Sequence, residues 1–453
     1  MQLQFGVEHA PHRSKVVGAS KMVNCYLEEA PKAAPSPVAV VPSYGLDLFA
    51  TMGTRLRGAT VVNGVPYLVS GNTLYTLTQA GVVTSLGSGI DGTAAISVIG
   101  DGQNVIAMGS GKGYVYDGTT LSQITDPDFP GSNWAAYLDG YVVISEPNSG
   151  RVFVAGPLTP SDWNALDFAS AEGSPDDVLY GIVEKRELFL FGRESIEVWI
   201  NTGNADFPLE RVSSGFIEMG IKSAFAATKA DNTICFVGTD GIVYRLNGYS
   251  PVRISTHIVE QAIEDGGDID VRLFWWVESG HRMMCVKSSA YSWVYDFATQ
   301  LWHERKSYLQ GTWLGEFALH AFGEYFIACG NRLGAITADS FTEFGDVLRL
   351  ECDSAEVSDE GRVIEHNCLE LQFDVGKGVS TGQGSDPKVM IQFSDDSGHT
   401  WSNEKFRSLG AMGHYKQRTR LLRAGISRRR VYKYSISDPV RRTLSGAFLN
   451  PDL

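Results

Sequence analysis

The sequence predicts an all-β chain, a β-propeller of about six or seven blades followed by a small antiparallel β-sandwich. Two observations predict the propeller. Seven short hairpins, each an apolar strand, a turn and a second apolar or aromatic strand, centre on Gly71, Gly111, Gly150, Gly192, Asp240, Ser289 and Asn331. The centres step by 40, 39, 42, 48, 49 and 42 residues, which is the period of a blade; a blade cannot bury both faces alone and stacks on neighbours around a ring. Glycine is also abundant, at 49 of 453 residues, as a fold of many tight turns requires. A third observation predicts the sandwich. Beyond about Val347 the pattern becomes strict alternation, with Leu369, Leu371, Phe373 and Val375 on one face, Glu370, Gln372 and Asp374 on the other, and Val389, Ile391 and Phe393 repeating it. One apolar and one polar side describe an antiparallel sheet packed on a single face.

In chain order, residues 1–50 have no clear period, and Pro31 to Gly45 (PKAAPSPVAVVPSYG) carries four prolines, so an extended N-terminal arm is expected there. Residues 51–345 are assigned to the propeller and 346–453 to an independent sandwich. Within the repeats, Pro160 to Val178 reads as an insertion bounded by turn signals. Ser255 to Gly267 reads as a helix: Thr256 is the expected cap, Ile258, Val259, Ala262 and Ile263 share a face, and Gly266 and Gly267 end it.

Composition excludes several classes. No apolar run approaches the ~18 residues of a membrane span, and the first residues lack the basic-then-apolar layout of a signal peptide, so synthesis in a cytoplasm is expected. Six cysteines (Cys25, Cys235, Cys285, Cys329, Cys352, Cys368) show no C-x-x-C spacing and read as buried, reduced thiols. Nine scattered histidines offer no metal-ligand spacing, and no acid, base and nucleophile can be nominated, so neither enzyme chemistry nor a cofactor is expected. GSGKG (Gly109 to Gly113) lacks the upstream glycine and the following Ser or Thr of a phosphate loop and joins two strands; it reads as a hairpin turn.

Two motifs remain. Ser394 to Trp401 (SDDSGHTW) fits the Asp-box pattern: Ser394, Asp396 and Thr400 bond turn amides, Gly398 takes positive φ, and Trp401 is expected to pin the hairpin to the core. That is a structural hairpin and touches no substrate. The second is charge asymmetry. The net charge of −14 divides into +9 over Ser402 to Leu453 and −23 over the rest. Lys416, Arg418 and Arg420 fall two apart, as on one strand face, and Arg423, Arg428, Arg429 and Arg430 follow. Such a cluster is tolerated in water or against anions, and these seven residues are the candidates for a subunit or partner interface, with DNA phosphates and bare solvation as alternatives.

Taken together, Ser394 to Ala447, Asp162 to Val178, Gly192 to Ile263 and VNCYLEE (Val23 to Glu29) resemble the packaged-DNA stabilisation proteins of short-tailed bacteriophages, also called tail hub or nozzle proteins. The resemblance implies a structural virion protein, made in the host cytoplasm and located in the tail. It implies a homo-oligomeric ring, typically a hexamer, that extends the portal–adaptor channel, holds packaged DNA and conducts it during ejection. The partners it implies are the tail adaptor or head-to-tail connector, tail spike, fibre or needle proteins, and double-stranded DNA in transit. The alternative is a propeller that binds or cleaves host surface glycans, but sialidase-like chemistry needs convergent arginines, and Arg151, Arg186, Arg193, Arg211, Arg245 and Arg253 lie at loosely matched positions. A scaffold of the WD type would repeat G-H and W-D dipeptides, which do not recur here.

Overall fold

The computed structural model describes residues 1–6, 10–11, 19–30, 36–171, 173, 176–267 and 270–451. Each of the seven hairpins read from the sequence forms the two middle strands of a blade, so the propeller has seven. Blade 1 comprises Leu56–Val62, Val65–Ser70, Thr73–Leu77 and Val83–Ser88, paired antiparallel in that order. Blades 2 to 6 follow along the chain, with inner strands Ser97–Gly100, Ala136–Leu138, Val178–Glu184, Ala227–Ala230 and Arg272–Glu278. Middle strands are packed by neighbouring blades on both faces, so they read as continuous apolar runs rather than alternation. Val105–Gly109 is buried at every position, and Glu187–Gly192 at all but the first. Tight turns close the inner hairpins: Asn63 (φ 51°) and Gly64 (φ 80°) take the left-handed pair that matches strand twist.

Blade 7 corrects the expected arm. Its first three strands are Phe317–Ala321, Glu324–Cys329 and Arg332–Ile336, and its outer strand is Leu46–Thr51, from the other end of the chain. The ring is thus closed by pairing across the sequence. The rest of the described N-terminal segment is also strand. Met22–Val23 pairs with Glu304 of blade 6 on one side and with Leu350–Asp353 on the other, and Cys25–Glu29 pairs with Val38–Pro42. Prolines are admitted because Pro42 ends its strand and Pro37 precedes it; Pro31 and Pro35 lie outside the described residues.

The sandwich is likewise not built from 346–453 alone. One sheet runs Cys25–Glu29, Val38–Pro42, Leu444–Leu449, Cys368–Phe373 and Thr419–Leu422. The other runs from blade 6 through Met22–Val23 to Leu350–Asp353, Arg429–Ile436, Lys388–Ser394 and Lys405–Ser408. Propeller and sandwich therefore share one hydrogen-bonded sheet. Their joint is packed as well: Tyr26 lies in one core with Trp276, Trp313 and Leu46, and the fully buried Arg305 donates to Glu278 (3.4 Å) and to the Tyr44 carbonyl (2.6 Å).

Two smaller expectations also change. The expected insertion from Pro160 to Val178 instead supplies blade strands, since Phe168–Ser170 is the outer strand of blade 3, Trp163 is buried and Val178 opens blade 4. The helix is present as His257–Gly266, with Val259 and Ile263 buried, but the Thr256 hydroxyl makes no capping bond. Ser255 takes a role there instead, donating to Glu260 at 2.7 Å.

Candidate partner interface on the sandwich

The Asp-box turn follows strand Lys388–Ser394, which pairs with Lys405–Ser408. Ser394 donates to Asp396 Oδ1 at 2.6 Å, the Gly398 amide donates to Ser394 Oγ at 2.8 Å, and Asp396 accepts both the amide (2.8 Å) and the hydroxyl (2.6 Å) of Thr400. The side-chain bonds from Ser394 and Thr400 hold the Asp396 carboxyl well below the usual carboxylate range. Gly398 has φ 84°. Trp401 departs from expectation: it is half-buried, with the Lys433 ammonium 3.7 Å from its ring centroid, so it shields a cation instead of filling the core. Lys433 in turn lies 3.9 Å from the buried Asp353.

The seven basic candidates divide into four groups. Arg430 is 2% exposed; it forms a fork to Asp395 (2.6 and 2.8 Å), donates to the Ala424 carbonyl and stacks 4.0 Å over Phe393. It is an internal strut, and the expectation that it faces a partner is corrected. Arg418 and Arg420 converge on Glu370, whose Oε2 lies 2.7 Å from each. Glu370 was expected on a solvated face and is instead 7% exposed, its charge offset by these two cations. Arg420 is largely covered, while Arg418 keeps 53% of its side chain exposed. Lys416 lies in an exposed turn before the strand, so the three cations do not share a strand face. Arg423 and Arg428 are exposed and Arg429 half-buried, all beyond the far end of Thr419–Leu422. That strand, spanning about 10 Å between its end residues at ~3.4 Å per step, separates Lys416 from Arg423 and Arg428 along the chain.

Sequence reading missed the apolar side chains around both groups. Met412 and Tyr415 (68% exposed) flank Lys416, while Leu422, Ile426 (65%) and Val363 flank Arg423 and Arg428. Exposed apolar residues ringed by charge are the usual texture of a protein contact. No sequence signal separates them from the alternating core, because Leu421 and Leu422 differ only in which way the strand turns them.

Elsewhere the geometry is structural. His366 Nε2 lies 2.8 Å from Ser427 Oγ and Nδ1 2.7 Å from the Tyr432 hydroxyl, but the group is sealed in the sandwich, and burial, seconded by Arg430, lowers the imidazole to about 4. Among the described residues no three His, Cys, Asp or Glu side chains are grouped to hold a metal. Lys112, of the rejected phosphate loop, pairs with Asp91 in a hairpin. The propeller axis holds a cavity of about 470 Å³ lined by the seven inner strands, including Gly58, Ala136, Gly181 and Ala318. The loosely matched arginines do not line it. Arg151, Arg186, Arg211 and Arg245 each pair with a carboxylate of their own or the adjacent blade, and Arg253 with Glu260 of the helix.

Comparison with known proteins agrees with the two-part architecture. Residues 22–337 match the family model described as bacteriophage P22 Gp10, beta-propeller, and residues 349–451 that described as bacteriophage P22 Gp10, beta-sandwich. No curated protein matches the sequence. Solved structures similar to this chain include the WD40 beta propeller domain of Doa1, 11% identical over 65% of this chain and 97% of that one, with a TM-score of 0.42. Another is the extracellular domain of the putative one component system BT4673 from B. thetaiotaomicron, 11% identical over 84% of this chain and 58% of that one, with a TM-score of 0.46. Likeness at this level carries no argument about function. The family matches do: together they span nearly the whole chain, and by them it belongs to the bacteriophage P22 Gp10 family of structural phage tail proteins that stabilise packaged DNA, which are not enzymes.

Proposed function

We propose that copies of this chain form the tail hub, or nozzle, as a ring of six that extends the portal–adaptor channel, retains the packaged genome and conducts it during ejection. The observation that carries this reading is the distribution of charge. A body of net charge −23 offers DNA no bound state and lets it slide, while the +9 tail places its exposed cations at two ends of the sandwich, beside exposed apolar side chains. In a head-to-tail ring each copy meets its neighbours through two complementary patches; one basic group of the sandwich against the acidic body of the next copy is such a pair, which leaves the other group for the adaptor or the distal spike, fibre or needle proteins. On this reading the protein is made in the host cytoplasm and ends in the virion.

The test is charge reversal at exposed positions only, Lys416→Glu with Arg423→Glu and Arg428→Glu. The soluble protomer is expected to stay folded, because exposed charges contribute little to stability. Assembly onto the adaptor is expected to fail, and particles to lose DNA. Normal assembly with a salt-dependent defect in DNA retention alone would move these residues to a DNA-contact role. Normal assembly and normal retention together would overturn the interface reading.

A further inference from the structure

Cys25 and Cys352 are fully buried together in the core of the sandwich. The chain path brings them together. Met22 and Val23 pair with Cys352 and Glu351, Asn24 then turns the backbone with φ 55°, and Cys25 opens the facing sheet. Each thiol donates to a nearby carbonyl, Cys25 to Glu351 at 3.6 Å and Cys352 to Asp353 at 3.8 Å. Cys25 precedes Leu46–Thr51 in the chain, and Cys352 follows Arg332–Ile336; these are the two strands whose pairing closes the seven-bladed ring.

We propose that Cys25 and Cys352 are a site of oxidative cross-linking, forming an intramolecular disulfide that encloses all seven blades in one covalent loop. The co-reactant is a low-molecular-weight disulfide such as oxidised glutathione. The thiolate of Cys25 attacks one sulfur of the reagent and releases one equivalent of thiol; the thiolate of Cys352 attacks the mixed disulfide and releases the second. Two protons pass from the protein thiols to the leaving thiolates, and two electrons from the protein to the reagent. Burial pushes the Cys352 thiol up, so exchange is slow while the first strands are docked and proceeds on local opening of Met22–Glu29. A chain that passes from a reducing cytoplasm to an oxidising medium meets the conditions for this step after assembly.

The experiment incubates the purified full-length chain with oxidised glutathione, maps peptides without reduction, and compares melting of oxidised and reduced protein. The expected result is a Cys25–Cys352 linked peptide with loss of two hydrogens and a melting temperature several degrees higher, reversed by a thiol reductant and absent in Cys25→Ser and Cys352→Ser. The oxidised-against-reduced comparison of the unsubstituted chain stands even where a variant fails to fold. The proposal is overturned if both thiols stay fully alkylatable after incubation in mild denaturant that opens the native state. It is equally overturned if the link forms with Cys235, Cys285, Cys329 or Cys368, or if the oxidised chain melts no higher than the reduced one.

Discussion

Glu370 shows how a residue-scale balance replaces the pattern read from the sequence. Alternation placed it on the polar face; burial then required compensation, and Arg420 of the neighbouring strand and Arg418 just before it provide it. Glu370→Ala leaves these cations unpaired and is expected to cost about 1–3 kcal/mol, below the full cost of breaking a buried pair because Arg418 reaches water. A urea midpoint measures it. Arg430→Ala is expected to cost about 3 kcal/mol, since it removes a buried guanidinium with its fork to the half-exposed Asp395, its bond to the Ala424 carbonyl and its packing on Phe393. Asp353 gives a pH signature. Burial pushes its carboxyl up to about 7, opposed by Lys433 and Lys21. An unfolded aspartate titrates near 4, so between about pH 4 and 7 the native state holds a proton that the unfolded chain has released, and stability falls as pH rises through that window. Asp353→Asn removes this linkage. Its melting temperature relative to the parent is expected to climb from pH 4 to 7 and to level off above; a flat difference would contradict the assignment. His366, lowered to about 4, acts in the opposite sense between about pH 4 and 6.5, but equally in both proteins, and cancels from the difference.

At the scale of elements, the Asp-box hairpin holds itself together through Ser394, Asp396 and Thr400, and its tryptophan is peripheral. Trp401→Ala is therefore expected to cost only about 1 kcal/mol, the scale of a partly exposed cation–π contact. Trp313→Ala is expected to cost about 3–5 kcal/mol, because that ring is fully buried, donates to Glu343 at 2.6 Å and carries the Arg305 guanidinium at 4.2 Å. Parallel denaturant titrations decide whether the two differ as stated. The blades obey a related rule. Their middle hairpins are apolar on both faces and visible as sequence repeats, whereas two inner strands carry a glycine where the neighbouring blade comes close. A side chain at Gly58 would meet the Ile96 carbonyl oxygen at 2.3 Å, and one at Gly181 the Trp134 ring at the same distance. Such positions interrupt the bulky apolar signature of a strand in blades 1 and 4, whereas Arg272–Glu278 carries it.

At the scale of the whole molecule, the first fifty residues hold the architecture together from outside the repeats. Leu46–Thr51 completes blade 7, and Cys25, Leu27 and Val40 sit in the sandwich core. Deleting residues 1–51 exposes the long edge of Arg332–Ile336 and opens the sandwich, so the truncated chain is expected to aggregate on size-exclusion chromatography. The segment 346–453 by itself, short of the strands Cys25–Glu29 and Val38–Pro42, is expected to lack the cooperative melting that the full chain shows by circular dichroism.

Local patterns in the sequence were enough to establish the all-β class, the seven middle hairpins, the helix at His257–Gly266, the Asp-box turn and the change of texture at the sandwich. Each depends on residues close in the chain: hydrophobic period, turn chemistry, capping glycine. Ring closure by Leu46–Thr51, the sheet shared through Met22–Val23 and the sorting of seven cations into struts and exposed groups were decided by tertiary structure alone. Strand pairing across some 290 residues leaves no mark in local periodicity, because a backbone edge accepts any strand of suitable face. Likewise an arginine carries the same charge in the sequence whether it stands in water or, like Arg430, is itself buried with its guanidinium on a carboxylate; only the partner segment, brought in by the fold, tells the two apart.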